Sequence, residues 1–294
     1  MKKLVIAVIL VLAVFTHAMS QDLPKASIVM AAKTRNVTIY SVVAPPEMFS
    51  NTTHIIELPH QLILVDGQFF APYAWQAKAL ADSLKKPITH FYISHDHPDH
   101  YIGFGDAFPD APVYALEETK KGIEKEGLAT LKKRQEQFKG VIAKSLNVPT
   151  HVQKAGKEVI DGVTFIFEKS LNNEAAVSLV IKIPEAKAYI AQDIVYNKTH
   201  LFISGNMDGW RNALKKVESE SNYTLILSGH GIPCDRSVLK EDLKYLDFVD
   251  KTLAESTSKE EYKSKLLATY PTYGGDHLID IYLAYYLKKD WAIK

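Results

Sequence analysis

At 294 residues, with 47% hydrophobic and 23% charged side chains, the chain has the length and composition of one large or two small globular domains, which excludes a disordered or fibrous protein. Lysine and arginine total 35 against 34 aspartates and glutamates, and setting Lys2 and Lys3 aside leaves 33, so the basic excess of a nucleic-acid-binding surface is missing. The single cysteine, Cys234, excludes an internal disulfide.

In chain order, Lys2-Lys3 precede twelve uncharged apolar residues from Leu4 to Phe15, and Ala18-Met19-Ser20 then puts small residues three and one positions before Gln21. This layout predicts a signal peptide over residues 1–20, removed on export to the periplasm or the medium. The apolar run is too short to span a bilayer, so no stable membrane insertion is expected afterwards. Residues 36–43, 54–58 and 61–66 are β-rich and predict strands, the last ending in the Asp66-Gly67 turn signal, with 45–51 a loop between the first two. Helical spacing over 74–86 leads to the apolar strand Ile88–Ile93, which runs straight into a histidine cluster. A short strand is predicted at 112–115, then a charged, mostly helical stretch over 117–146 with a break near Gly127. Further on, 162–168, Val177–Ile183 and 188–191 predict a second sheet, and 208–220 an amphipathic helix. Residues 223–227 form a buried strand delivering Ser228-Gly229-His230-Gly231, and 237–289 is mostly helix. No repeat or linker interrupts this pattern, so residues 24–294 are read as one catalytic domain of two packed sheets covered by helices.

Three of the eleven histidines fall in His95-Asp96-His97-Pro98-Asp99-His100. In an extended segment His95 and His97 point to one side and can grip one cation. Pro98 starts a helical turn, so Asp99 and His100 project together from it toward a second cation. Imidazole and carboxylate suit zinc and its first-row neighbours.

Ser94 through His100 resembles the signature loop of the metallo-β-lactamase superfamily, and the resemblance extends over most of residues 35–235. It implies an α+β fold, the four-layer αββα sandwich, with one or two metals between the sheets. By the same resemblance Asp193, in Gln192-Asp193-Ile194, matches the bridging aspartate, and His230 the last histidine ligand. The histidine that the family carries before the preceding strand is missing. Aligning that strand puts Glu174 at its place, as in the alkylsulfatase branch, so Glu174 is expected to ligate the first metal with His95 and His97. The implied activity is hydrolysis of a small-molecule ester, lactam, lactone or thioester by a metal-bound hydroxide. Two zinc ions are expected, with manganese or iron as alternatives, and Asp99 takes a catalytic role in orienting the nucleophile and shuttling its proton.

A β-lactamase proper, a phosphodiesterase or nuclease, and a non-enzymatic binding protein are the rival functions on this fold; the near-neutral, compact chain argues against a nucleic-acid partner. His200 and Tyr196 are candidate substrate contacts, with loop and packing roles as the alternatives. Asp66 either fixes a turn or backs up a ligand. Phe69, Phe70 and Tyr73 line a pocket or pack in the core, and His151 and His277 read as structural or surface. Substrate identity, metal identity and oligomeric state are not legible in the chain.

Overall fold

The computed structural model describes residues 23–204 and 206–285. The expected signal peptide lies outside the described residues, as does the end of the last predicted helical stretch. Two sheets carry the architecture. The first runs in spatial order β1 (Ser27–Lys33), β2 (Thr38–Val43), β3 (Thr52–Glu57), β4 (Leu62–Val65), β5 (Ile88–Ile93), β6 (Val113–Ala115) and β7 (His151–Val152). It is antiparallel as far as β4 and parallel from there on. The second comprises β8 (Gly156–Ile160), β9 (Val163–Leu171), β10 (Val177–Ile183), β11 (Ala188–Tyr196) and β12 (Leu225–His230), in the order β12-β11-β10-β9-β8. All its pairs are antiparallel except the parallel β11–β12.

The sheets meet face to face because each turns an apolar face inward. Val37, Ile39, Ile56, Ile63, Val65 and Tyr92 of the first pack on Val163, Phe165, Phe167, Leu179, Ile181 and Leu227 of the second. β9 shows the two-residue period of a half-covered strand, whereas β10 and β11 are buried along their whole length because helices cover their other face. Helices α1 (Ala71–Ser83), α2 (Pro98–Tyr101) and α3 (Glu117–Gln137) lie against the first sheet. Helices α4 (Met207–Ser219), α5 (Ser237–Glu255), α6 (Lys259–Thr269) and α7 (Asp276–Tyr285) lie mainly against the second. The layers are helix, sheet, sheet, helix, which is the αββα sandwich expected from the resemblance.

Some expectations give way. α3 runs unbroken through Gly127, because that glycine is a packing position: a Cβ there would lie 2.9 Å from Leu146. β11 continues past residue 191 to Tyr196, with a bulge at Gln192, whose φ of 46° is left-handed. The bulge sits immediately before Asp193 and re-aims it, the use to which bulges beside functional sites are put. The structure adds β1, β7 and β8, whose residues are largely exposed and lack a periodic apolar signal in the sequence.

Candidate metal centre

The cluster assembles just past β5, just before β10, beside the bulge in β11 and at the end of β12. Ser94, just past β5, donates its N–H to Asp66 Oδ1 at 2.8 Å and its hydroxyl to Asp66 Oδ2 at 2.7 Å. The Ser94 hydroxyl oxygen then accepts from His95 Nδ1 at 2.8 Å, which leaves His95 Nε2 bare. His100 Nδ1 donates to Asp66 Oδ2 at 2.8 Å, and His230 Nδ1 donates to the Phe49 carbonyl at 2.6 Å, so their Nε2 atoms are likewise turned inward. Gln192 adds a side-chain donor to Asp66 Oδ2. The Phe49 carbonyl is aimed by two successive left-handed residues, Phe49 (φ 68°) and Ser50 (φ 50°). Glu174 is turned inward by an Asx turn: Asn173 Oδ1 accepts from the Ala175 N–H and the Ser178 hydroxyl, both at 3.0 Å.

Two groups of potential ligand atoms result, His95, His97, Glu174 and Asp193 in one and Asp99, His100, Asp193 and His230 in the other, each within 4.8 Å overall. In the first, His97 Nδ1 lies 3.2 Å from Glu174 Oε1, and His95 Nε2 lies 3.7 Å from Glu174 Oε2 and 3.8 Å from Asp193 Oδ2. In the second, Asp193 Oδ2 is 3.2 Å from His100 Nε2 and 3.3 Å from His230 Nε2, while Asp99 Oδ2 is 3.4 Å and 3.2 Å from the same two nitrogens. Tetrahedral zinc with bonds of about 2.0–2.1 Å separates its ligands by roughly 3.3–3.4 Å. The spacings of the second group, 3.2–3.4 Å, match that edge, and those of the first, 3.2–3.8 Å, run from that edge to somewhat longer.

A second observation agrees. His95 Nε2, His100 Nε2, both Glu174 oxygens and Asp193 Oδ1 are buried without a hydrogen-bond partner among the described residues. Orphaned buried polar atoms each cost about 1–3 kcal/mol unless something satisfies them, and the histidine nitrogens and Glu174 oxygens among these belong to the two ligand groups. The residues present therefore fit a pair of divalent cations. Side chains of His97 and Asp99 are 23% and 22% exposed, whereas those of the other five lie between 0% and 3%. The mouth of the site lies over His97 and Asp99.

The electrostatics of the cation-free protein show the same crowding. Burial, reinforced by His100 and His97, holds His95 well below the ordinary imidazole range. Burial acts the same way on His97, but Glu174 outweighs it and leaves His97 at about 9. His230 is raised to about 10, the Asp193 carboxylate outweighing burial, and His100 is raised for the same reason. Burial pushes Glu174 up, whereas for Asp193 and Asp99 the neighbouring imidazoles overcome burial and hold both carboxyls down.

All seven residues singled out as ligands come together. The two candidate substrate contacts do not reach the mouth. His200 is fully buried in the segment after β11, its Nδ1 2.8 Å from the Tyr245 hydroxyl, and burial lowers it to about 4. Tyr196 is buried too, with its hydroxyl on Asp193 and its ring against His230. Burial removes both from contact with a ligand at the mouth. Phe69, Phe70 and Tyr73 are buried, the phenylalanines packed edge-on to one another and to Phe138, which is a packing role. His151 is exposed on β7, and His277 lies with its ring 4.4 Å from Phe49.

Asp66 proves to be the hub behind the site. Sequence reasoning missed Asn51, whose side chain accepts from the Phe69 N–H at 2.9 Å and donates to Asp99 Oδ2 at 3.5 Å. It also missed His54, which ties the sheets together through Ser41 on β2 and the Ser228 carbonyl on β12. Neither carries a local motif; only the fold brings them here. Gly229 is explained as well, since a Cβ on it would lie 1.9 Å from Asp193 Oδ1.

No protein-family model matches the sequence, and no curated protein matches it. Solved structures do. A metallo-β-lactamase from Pontibacter korlensis superposes with a TM-score of 0.57 at 16% identity, covering 75% of this chain and 99% of that one. The metallo-β-lactamase FIM-1 from Pseudomonas aeruginosa, in its mono-zinc form, gives a TM-score of 0.57 at 18% identity, covering 76% and 97%. The metallo-β-lactamase IND-7 gives 0.58 at 17% identity, covering 77% and 100%. Two face-packed sheets, helices outside, and a histidine–carboxylate cluster at the strand ends establish that this chain has the metallo-β-lactamase fold.

Proposed function

We propose that the chain is a metal-dependent hydrolase with a dinuclear centre, acting on a small-molecule ester, lactam, lactone or thioester. The observation that carries this reading is Asp193 Oδ2, which stands 3.2–3.8 Å from three imidazole nitrogens belonging to both ligand groups. His95, His97, Glu174 and Asp193 would hold one cation, and Asp99, His100, Asp193 and His230 the other. Bound there, divalent cations supply Lewis acidity and bring the pKa of water from 15.7 to about 7.

The chain's own residues do the rest. Asp66, through Ser94 and directly, fixes the rings of His95 and His100 with their Nε2 lone pairs inward. Asp99 is the carboxylate at the mouth, held by Asn51 at 3.5 Å. From there its carboxylate can take the proton of the attacking water and return it to the leaving group. The near-neutral charge balance supports a small-molecule substrate over a polyanion. Among the described residues no helix is long and apolar enough to cross a membrane, and the apolar run behind Lys2-Lys3 supports export to the periplasm or the medium.

The test is metal analysis of purified chain prepared with zinc, manganese or iron, followed by a panel of β-lactam, lactone, carboxylic ester, thioester, sulfate-ester and phosphodiester substrates. Two equivalents of cation and turnover of a member of the proposed class are expected. Protein without stoichiometric metal would sink the reading.

A further inference from the structure

We propose that Tyr196 is a positioning residue for the cation pair, fixing how Asp193 presents its carboxylate to the second ligand group; the inference rests on the dinuclear reading above. Tyr196 ends β11, three residues after Asp193, and donates its hydroxyl to Asp193 Oδ2 at 3.0 Å. That acceptor is the shared corner of the site, the oxygen 3.2 Å from His100, 3.3 Å from His230 and 3.8 Å from His95. A carboxylate oxygen has two lone-pair directions. The phenol's hydrogen bond fixes the rotation of the carboxylate, so that the same oxygen stays turned toward the histidines. On the far side Gly229 leaves just enough room for Oδ1, so the carboxylate is gripped from both edges.

The same side chain holds a second ligand of that group. Its ring stacks on the His230 imidazole, with centroids 4.7 Å apart and planes within 11°. Tyr196 is itself anchored: its N–H donates to Asp242 Oδ2 at 3.0 Å, and Trp210 packs at 5.8 Å while donating its indole N–H to the Ile194 carbonyl at 2.8 Å. A tyrosine in this setting orients two ligands of the second group at once, and touches the first group only through Asp193 Oδ2, which is 3.8 Å from His95 Nε2 and nearer to His100 and His230.

Phenylalanine at this position keeps the ring and its stacking and removes only the donated hydrogen bond. The test uses the full chain with cobalt(II) as the probe. Each equivalent is followed by its ligand-field absorption and by competition with a chromophoric chelator, and His230→Ala identifies the equivalent belonging to the second group. Tyr196→Phe is expected to bind the first equivalent within about threefold of the parent and the second about 10–100-fold more weakly, the usual cost of losing a ligand-orienting hydrogen bond. Parent-like binding of both equivalents, or equal weakening of both as a loosened structure would give, overturns the role of Tyr196 while the dinuclear reading stands. A parent chain that binds fewer than two equivalents overturns that reading and this inference together.

Discussion

Replacing Asp66 by asparagine tests whether the site is built from behind. The buried Asp66 carboxylate receives four donors: the Ser94 N–H, the Ser94 hydroxyl, His100 Nδ1 and the Gln192 amide. Three of the four converge on Oδ2. Asparagine keeps the shape but turns one oxygen into an N–H2 group that must face donors. With its nitrogen at the Oδ1 place the asparagine leaves one donor, the Ser94 N–H, without an acceptor, and with it at the Oδ2 place three; at about 1.5–3 kcal/mol for a hydrogen bond to a charged group, Asp66→Asn should lose at least about 1.5–3 kcal/mol of stability in the cation-free protein. His95 and His100 belong to different ligand groups, and both take their orientation from Asp66. Affinity for both cations should therefore fall about 10–100-fold. Urea unfolding with chelator present reads the first effect, and competition with a chromophoric chelator reads the second. A variant whose unfolding midpoint and both affinities match the parent would refute the reasoning, because the hub would then be carrying nothing.

Glu174→Gln keeps the volume at position 174 and removes its charge; metal analysis after gel filtration should find one cation per chain instead of two, and two would remove Glu174 from the ligand set. Gly229→Ala places a Cβ 1.9 Å from Asp193 Oδ1, so it should abolish stoichiometric cation binding while circular dichroism still shows folded protein; retained binding would show that the carboxylate has freedom it is denied here. His54 gives the pH prediction. Burial holds its imidazole down at about 4 against an ordinary 6.5, so above pH 6.5 neither folded nor unfolded chain is protonated there. As pH falls from 6.5 to 4 the unfolded chain takes up a proton that the native state refuses, and stability drops by roughly 3 kcal/mol. Unfolding midpoints measured across that window should fall less steeply in His54→Gln than in the parent, and equal slopes would dismiss the assignment.

What could be read in advance follows from where the determining physics lies. The cluster at His95 to His100 is legible because its ligands are neighbours in sequence, and a strand followed by a proline-started turn fixes their directions. No motif marks Glu174, only its place before a strand, since Asn172-Asn173-Glu174-Ala175-Ala176 reads as an ordinary polar turn. Its inward aim depends on the Asn173 side chain closing that turn. For Tyr196 and His200 the sequence leaves a substrate contact and a loop or packing role both open, because polar aromatic side chains after a strand look available; only packing reveals that one faces Asp193 and the other Tyr245. β1 and β8 escaped notice because edge strands are half solvated, so the apolar period that betrays a strand is diluted. Asn51 and His54 act across more than a dozen residues of chain, a separation at which local pattern carries no information, whereas Asp66 is legible beside its turn signal as a residue backing up a ligand.

The donor sets carry a consequence for the chemistry on the proposed reading. Each group offers two imidazoles and two carboxylates, with Asp193 counted in both. Two divalent cations would bring four positive charges, against which Asp99, Asp193 and Glu174 set three, leaving one. A histidine at position 174 would leave two. The extra carboxylate makes the two groups near-equivalents in donor type, which favours a matched pair of ions over an asymmetric one, and oxygen donors shift the preference toward harder ions such as manganese and iron. It also lowers the field at the mouth, where an anionic substrate would otherwise gain most, and makes the bound water less acidic than at an all-histidine group. A glutamate at position 174 thus bears on substrate charge and on the pH at which the proposed centre would work.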